Sequence, residues 1–185
     1  MTIAKLPRAL LVTPFGSIEV SVDTRSAPIT AANFLAYVDG GHLDGTSFYR
    51  VVHADNQPAD NARIEVVQFG YPPRDDAYPG PFPCIPHEPT SVTGLTHRDG
   101  TISMARMAPG TAGSGFFICV GDQPELDFGG RRQPDGQGFA AFGQVERGMD
   151  VVREILSRAE ATQFLSKPIP LLRAERIGSE GDASS

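Results

Sequence analysis

The sequence lacks the features that mark membrane-spanning and nucleic-acid-binding proteins. None of its apolar runs approaches the roughly 20 residues that a membrane-spanning helix requires. The formal net charge is -6, so no broad basic surface is available for nucleic acid. The apolar stretch at residues 9–12 is too short for a signal peptide. We therefore expect a cytoplasmic protein, although a mature periplasmic form with a replaced start stays open.

Cysteine is scarce, which argues against a disulfide framework. The two cysteines, Cys84 and Cys119, should be reduced thiols in a cytoplasmic protein. Cys119 ends the run GFFIC and is expected to be a small buried residue. Two isolated cysteines give no metal-ligand spacing.

The common catalytic motifs are also missing. The glycine-rich segment 127–138 lacks the Gly-Lys-Ser/Thr ending of a phosphate-binding loop and opens no helix. The glycine spacing around Ser114 does not match a nucleophile elbow. The four histidines show no zinc-binding spacing. His53 and Asp55 would make only a weak metal pair, and a solvated loop is the better interpretation. No metal, cofactor or Ser/His/Asp set is predicted. If the protein is an enzyme, its reaction must therefore need no metal, cofactor or activated nucleophile.

The composition is that of one globular domain. The chain has 185 residues, of which 40% are hydrophobic, enough for a proper core. We see no internal repeat and no break in composition. The sequence therefore predicts a single domain over residues 1–178, followed by a disordered tail over residues 179–185.

Periodicity predicts a mainly β protein. The pattern indicates about eight short strands and two helices, with turns at regular intervals. The first helix begins near Pro28 and ends before Gly40, and the second occupies residues 148–159. The last strand is expected over residues 169–177. Such a pattern favours a β-barrel or sandwich with helices covering its open ends.

The stretch TSFYRVV, residues 46–52, places an arginine inside a strand-like run. Strict alternation puts Phe48, Arg50 and Val52 on one side of that strand. A guanidinium cannot lose its proton, so it must keep water or find acceptors. Arg50 is therefore either a rim charge that reaches solvent or a fixed cation aimed at a ligand.

Several blocks in this order resemble the cyclophilins, a class of peptidyl-prolyl isomerases. They are APITAANFLAYVDGGHLDGTSFYRVV, VVQFG, HRDGTISMAR, GSGFFICV, LD and FGQVERGMDVVREI. The residues in these blocks are most similar to those of bacterial members. The resemblance covers most of residues 10–178. It implies a closed eight-stranded antiparallel β-barrel capped by two α-helices.

The resemblance also implies an activity that fits the missing motifs. Rotation of an Xaa–Pro amide meets a barrier of roughly 18–20 kcal/mol because it breaks amide resonance. A donor near the proline nitrogen stabilises the twisted state more than the planar state, and such differential binding accelerates the rotation. No covalent bond is broken, so no nucleophile, metal or cofactor is needed.

By resemblance, Arg50 is the catalytic arginine and Gln68 the glutamine that contacts the substrate backbone and helps to place it. The substrate-binding positions implied in the same way are Phe117, Val66, Ala105, Arg106, Met107, Gly115, Leu126 and Phe139. Phe117 matches the floor of the proline pocket. Ala105–Met107 match the segment that pairs with the peptide backbone.

Six positions depart from the usual family pattern. Val66 stands where methionine is frequent, Phe139 where histidine is common, and Tyr49 replaces the histidine of FHR. Glu65 is aligned with a pocket phenylalanine, and Gly115 replaces the glutamine of GSQFF. Glu125 replaces a tryptophan that contacts cyclosporin in many eukaryotic members. We expect catalysis to be retained, if weakened, and cyclosporin to bind weakly.

Two functions are consistent with these residues. The first is an isomerase that acts on proline-containing peptides and on unfolded or partly folded proteins, assisting their folding. The alternative is a non-catalytic or weakly catalytic proline-peptide-binding module on the same fold. The long loops 53–62 and 127–138 either shape access to the groove or are tolerated surface insertions. The expected protein is a monomer with no nucleic-acid or membrane partner.

Overall fold

The computed structural model describes residues 5–178, so the predicted tail at residues 179–185 lies outside the described part. One antiparallel sheet dominates the fold. Its strands are β1 (Arg8–Thr13), β2 (Gly16–Val22), β3 (Ser47–Val52), β4 (Val66–Gly70), β5 (Thr101–Met104), β6 (Gly115–Cys119), β7 (Ala141–Arg147), β8 (Phe164–Pro170) and β9 (Arg173–Ile177). The helices are α1 (Pro28–Asp39), α2 (Thr90–Thr93) and α3 (Met149–Leu156), with a 3₁₀ turn at Pro124–Leu126. None of the helices within residues 5–178 has the length and apolar character to cross a membrane.

The sheet is curled, and a short segment of the chain connects its two edge strands. The hydrogen-bonded strand order is β8-β3-β4-β6-β5-β7-β2-β1-β9. The edge strands β8 and β9 are consecutive in sequence and are joined by Leu171 and Leu172. The Leu171 N–H donates to the Thr46 carbonyl, and the Leu172 N–H donates to the Val12 carbonyl, both at 2.8 Å. The chain thus crosses from one edge of the sheet to the other in two residues.

The mainly antiparallel β architecture with a few helices is confirmed, but the predicted strand count is wrong. The segment 169–177, expected to be one strand, contributes to two strands of a nine-stranded sheet. Within the described residues no ladder joins β8 to β9, so the predicted closed eight-stranded barrel is replaced by a curled sheet. Strand β8 was not predicted as a separate strand, because Pro168 and Pro170 lack the backbone N–H that a central strand requires. They are tolerated here because β8 pairs only with β3.

The two faces of the central strands carry different clusters. In β4 and β6, Val67, Phe69, Phe116 and Ile118 belong to the main core. The alternate residues of the same strands lie on the opposite face, as the two-residue period of a strand requires. There they contribute to a second group, called here the pocket cluster: Val52, Ile64, Val66, Tyr78, Ala105, Phe117, Cys119, Leu126 and Phe139. The apolar runs VVQFG and GFFIC are apolar on both faces for this reason.

Helix α1 closes the main core from one side. It begins at Pro28 and ends before Gly40, as predicted. Its Phe34 ring lies 5.2 Å from the Phe116 ring and 5.3 Å from the Phe142 ring, centroid to centroid. Edge-to-face and tilted contacts of this kind add to the burial of each ring. The main core thereby packs against one face of β6 and β7, and the opposite face of β6 contributes Phe117 to the pocket cluster.

Candidate active site

Three of the predicted site residues form one row across the sheet. Arg50 in β3 pairs with Gln68 in β4, and Gln68 pairs with Phe117 in β6. Side chains directly opposite each other on neighbouring strands lie about 4.5–5.5 Å apart at Cβ. Strand register alone therefore brings together residues that are 67 positions apart in the chain (117 - 50 = 67).

A bulge in β3 decides which way Arg50 points. The register of β3 against both β4 and β8 shifts between Phe48 and Arg50. The extra residue reverses the alternation at this point. Phe48 and Val51 belong to the main core, whereas Val52 belongs to the pocket cluster and Arg50 lines the cavity beside it. The prediction that Phe48 shares a face with Arg50 is therefore wrong, and the bulge is the reason.

In the described part of the chain, the hydrogen-bond acceptors of the Arg50 guanidinium are all side-chain amide oxygens. One terminal nitrogen donates to Gln68 Oε1 at 2.8 Å, and Nε and the other terminal nitrogen donate to Gln163 Oε1 at 3.0 and 2.5 Å. Its carbon lies 5.9 Å from the centre of the Phe164 ring. Burial lowers the pKa of Arg50 from its ordinary value, but a guanidinium stays protonated in proteins. Among residues 5–178, no carboxylate partner neutralises the charge of this fixed cation.

Two tyrosines fix the orientation of Gln68. The Gln68 Nε2 group donates to the hydroxyl oxygens of Tyr49 at 2.8 Å and Tyr78 at 3.0 Å. Burial, as the main cause, raises the pKa of both phenols, so both stay neutral. With both amide hydrogens engaged, Oε1 must face Arg50. Tyr49 thereby helps to hold Gln68 in the orientation in which it accepts a hydrogen bond from Arg50.

Tyr78 occupies the space that the departure at Gly115 leaves open. A Cβ atom on Gly115 would lie 2.5 Å from Cδ1 of the Tyr78 ring and 2.6 Å from Cε1. Gly115 itself does not line the cavity, contrary to the predicted substrate contact, whereas Tyr78 does. The missing side chain in β6 therefore admits an aromatic ring from the loop that follows β4. The hydroxyl of that ring supplies a polar group beside Gln68.

The row opens into a cavity of about 360 Å³. Nine of the ten predicted site residues line it: Arg50, Val66, Gln68, Ala105, Arg106, Met107, Phe117, Leu126 and Phe139. Phe117 and Phe139 meet edge to face with centroids 5.7 Å apart. The apolar lining suits a small aliphatic ring, and Arg50 and Gln68 supply directional polar groups at its margin.

Glu65, which the resemblance aligns with a pocket phenylalanine, does not line this cavity. Ile64 and Val66 line the cavity and belong to the pocket cluster. Glu65, between them, faces the other way, and one of its carboxylate oxygens lies 3.8 Å from Nε2 of His53. Alternation along an extended chain explains the exchange, because a shift of one residue reverses the face.

A buried Ser–His–Asp arrangement lies beneath the floor of the cavity. His97 Nδ1 lies 2.7 Å from an Asp127 oxygen, and His97 Nε2 lies 2.8 Å from the Ser103 hydroxyl. Ser103 is fully buried and is not among the cavity residues, so no substrate carbonyl can reach it. The imidazole instead stacks on Phe117, with ring centres 6.0 Å apart and an interplanar angle of 16°. The arrangement supports the aromatic floor. It escaped sequence analysis because its three members share no motif spacing.

The long loops 53–62 and 127–138 both reach the cavity. The buried Arg106 side chain anchors the second loop through Asp135, at 2.8 and 3.0 Å, and through the Gly138 carbonyl. Arg132 in the same loop donates to Gln57 Oε1 and to the Ala62 carbonyl in the first loop. The loops therefore border the groove.

Eight residues of the cavity lining were not predicted from the sequence: Asn61, Ile64, Pro73, Tyr78, Arg132, Gln133, Gln163 and Phe164. All of them except Phe164, the first residue of β8, lie outside the helices and strands, where no periodic signal is present. Within residues 5–178 no cluster of three or more metal-ligating side chains occurs.

Comparison with known proteins agrees with this geometry. The family described as cyclophilin type peptidyl-prolyl cis-trans isomerase/CLD matches residues 9–176. Peptidyl-prolyl cis-trans isomerase A of Dickeya dadantii is 37% identical over 147 residues, covering 79% of this chain and 69% of the relative. Peptidyl-prolyl cis-trans isomerase B of Escherichia coli is 32% identical over 161 residues, covering 85% and 89%.

Solved structures show the same fold. A cyclophilin type peptidyl-prolyl cis-trans isomerase of Cryptosporidium parvum superposes with a TM-score of 0.68 at 18% identity, covering 94% of this chain and 99% of that one. A second crystal structure of that protein, obtained in the presence of the dipeptide Ala-Pro, gives a TM-score of 0.67.

Proposed function

The chain belongs to the cyclophilin-type peptidyl-prolyl cis-trans isomerases, and we propose that Arg50 is the group that accelerates rotation about the Xaa–Pro bond. The observation that carries this proposal is the bonding of Arg50. Its guanidinium is fixed at the margin of an apolar cavity by Gln68 and Gln163, and it keeps its full charge.

The chemistry follows from the geometry of amide rotation. As the amide twists, resonance is lost and the proline nitrogen gains a localised lone pair. An N–H donor that is already oriented towards that nitrogen binds the twisted state better than the planar state. Because the donor is preorganised, no reorientation is needed during the rotation.

The proline ring is proposed to occupy the apolar part of the cavity. Phe117 forms its floor, with Leu126 and Phe139 beside it, and Val66 and Met107 complete the lining. The backbone of Ala105–Met107 is proposed to pair with the peptide. The Arg106 side chain does not take part, because its donors are used by Asp135, Gly138 and its neighbour Met107.

The test is the cis/trans exchange of a short Xaa–Pro peptide, measured by NMR with wild-type protein and Arg50→Ala. Removing one preorganised donor typically costs about 10²- to 10³-fold in rate, so we expect acceleration to fall by about that factor. Arg173→Ala, at an exposed arginine of β9, is the matched control and should retain activity.

The result also discriminates the two functions. Acceleration that the Arg50→Ala variant retains would refute the proposed role of Arg50. Wild-type protein that broadens the peptide resonances without accelerating exchange would instead identify the alternative, a proline-peptide-binding module.

The cellular role is proposed on the sequence alone. Assistance to the folding of proline-containing chains follows from the activity, and the cytoplasmic location and monomeric state remain predictions. Cell fractionation and light scattering after gel filtration would check the last two.

A further inference from the structure

Arg132 joins the two long loops at the edge of the cavity. One of its terminal nitrogens donates to Gln57 Oε1 at 2.8 Å and to the Ala62 carbonyl at 2.9 Å. Within the described residues its Nε and other terminal nitrogen have no hydrogen-bond partner. The side chain is half-buried and lines the same cavity as Arg50. Arg132 therefore presents unused donors to whatever occupies the groove.

The cavity carries two positive charges that no carboxylate among the described residues balances. Arg50 is held by two glutamines, and Arg132 by a glutamine and a backbone carbonyl. The third arginine in the lining, Arg106, is neutralised by its ion pair with Asp135. No aspartate or glutamate occurs among the described residues that line the cavity. This is an exception in a chain whose formal net charge is -6.

The two unbalanced charges act on each other. The causes are burial and then the positive charge of Arg50, and both of these causes lower the pKa of Arg132 from its ordinary value. The groove is thus positively charged when empty, and a concave, partly desolvated site concentrates such a field. A bound carboxylate would relieve the repulsion between the two guanidiniums.

We propose that the groove prefers proline peptides that carry a carboxylate side chain next to the proline, and that Arg132 is the residue that determines this preference. The proposal rests on the isomerase function argued above and names the substrate class for that site. The unused donors of Arg132 can form a bidentate, charge-assisted pair with an aspartate or glutamate of the peptide. The competing explanation is that Arg132 only ties the two loops together.

The experiment compares matched peptides that differ only in charge. The peptides are Ala-Glu-Pro-Ala against Ala-Gln-Pro-Ala, and Ala-Ala-Pro-Glu-Ala against Ala-Ala-Pro-Gln-Ala, with cis/trans exchange followed by NMR at low and at high salt. At low salt we expect the kcat/KM ratio of the glutamate peptide to its glutamine partner to reach about tenfold, equal to about 1.4 kcal/mol, at one of the two positions. The ratio should shrink with added salt, because counterions screen the half-exposed pair.

Variants separate the charge of Arg132 from its role as a bridge. Arg132→Met should bring the glutamate/glutamine ratio close to one, and Arg132→Lys should retain part of it. Arg131→Met is the matched control, because Arg131 is exposed and pairs with Glu125 outside the cavity lining. A purely structural role would lower kcat/KM for both peptides of a pair by the same factor and leave the ratio unchanged.

The outcomes are distinguishable from failure of the isomerase function. Equal rates for both peptides of each pair, with exchange clearly accelerated, would overturn the acidic preference and leave the isomerase function intact. A preference that survives Arg132→Met would overturn the assignment to Arg132. If no peptide is accelerated by the wild-type protein, the proposed function fails, and the acidic preference falls with it.

Discussion

Gln163 is the residue in the site that sequence analysis could least foresee, and its removal should weaken catalysis. In a Gln163→Leu variant, Nε and one terminal nitrogen of Arg50 lose their acceptor, and the hydrogen bond to Gln68 and the contact with the Phe164 ring remain. Gln163 lines the cavity next to Arg50 of β3, whereas Phe117 lies in β6, which β4 separates from β3. The variant should therefore disturb the orientation of the cation and leave the proline pocket in place.

The size of the effect follows from the two hydrogen bonds. A hydrogen bond to a charged group is worth about 1.5–3 kcal/mol. Because one oxygen accepts both, and water can replace part of the loss at a half-buried site, we take a single bond as the estimate. Each 1.4 kcal/mol or so is a factor of ten in rate. If half to all of this energy maintains the productive orientation of Arg50, kcat/KM should fall about 3- to 150-fold.

The assay is the same NMR exchange measurement, combined with thermal unfolding. Gln133→Leu is the control, since Gln133 also lines the cavity and has no hydrogen bond to Arg50 in the described part of the chain. Gln163→Glu keeps the acceptor but adds a charge. It should hold Arg50 at least as firmly and still reduce the rate, because the carboxylate neutralises the cation. Unchanged kcat/KM in Gln163→Leu, with the fold intact, would refute the positioning role.

Three further predictions concern the groove and its borders. Gly115→Ala should lower the free energy of unfolding by about 1–3 kcal/mol, as measured by chemical denaturation, because the new Cβ would overlap the Tyr78 ring. Hydrogen bonds donated by Arg106 lower the pKa of Asp135. The pair therefore stabilises the fold above the unfolded aspartate pKa of about 3.9 and ceases to do so as pH falls through the folded value. Urea titrations of wild type and Asp135→Asn should accordingly differ at pH 7 and converge in acid. Calorimetry should give a cyclosporin dissociation constant well above the low nanomolar range, because Glu125 stands where many eukaryotic family members have a tryptophan that contacts cyclosporin. A low nanomolar constant would contradict this.

The row of Arg50, Gln68 and Phe117 could be predicted from the sequence because each residue lies in a segment with the composition of a β-strand. The blocks around them resemble those of the family, and the register of three adjacent strands then places the side chains side by side. Gln163 gave no such signal. It precedes an edge strand that contains two prolines, and its contact with Arg50 spans 113 residues.

Errors of a single residue reversed the orientation of two side chains. Strict alternation assigned Phe48 to the face of Arg50, and the bulge in β3 moved it to the main core. The alignment placed Glu65 in the pocket, where the structure has Ile64 and Val66. A period of two residues makes every such slip a change of face. A bulge cannot be recognised reliably in a single sequence, so the face on which Phe48 lies is known only from the strand pairing in the structure.

The departure at Gly115 shows why a missing family residue need not mean a missing interaction. Read alone, the glycine implied the loss of a polar contact. In the fold, the empty space beside Gly115 is filled by Tyr78, whose hydroxyl accepts a hydrogen bond from Gln68. The two positions lie 37 residues apart (115 - 78 = 37), and nothing in the local sequence of either links them. Compensation of this kind is visible only when the loop is placed against the sheet.

The choice of acceptors around Arg50 bears directly on how the site works. A carboxylate would orient a guanidinium more strongly than an amide does, but it would also cancel the charge that the twisted amide requires. Gln68 and Gln163 orient the same group and leave its charge intact, and Tyr49 and Tyr78 keep Gln68 turned the right way. The arrangement has a cost in stability, because an unbalanced cation is held in a half-buried groove away from bulk water. In the proposed mechanism, that cost is recovered when a substrate brings electron-rich groups to the cation, and most fully at the twisted geometry. Under that proposal, the neutral acceptors convert an unfavourable feature of the site into preferential binding of the transition state.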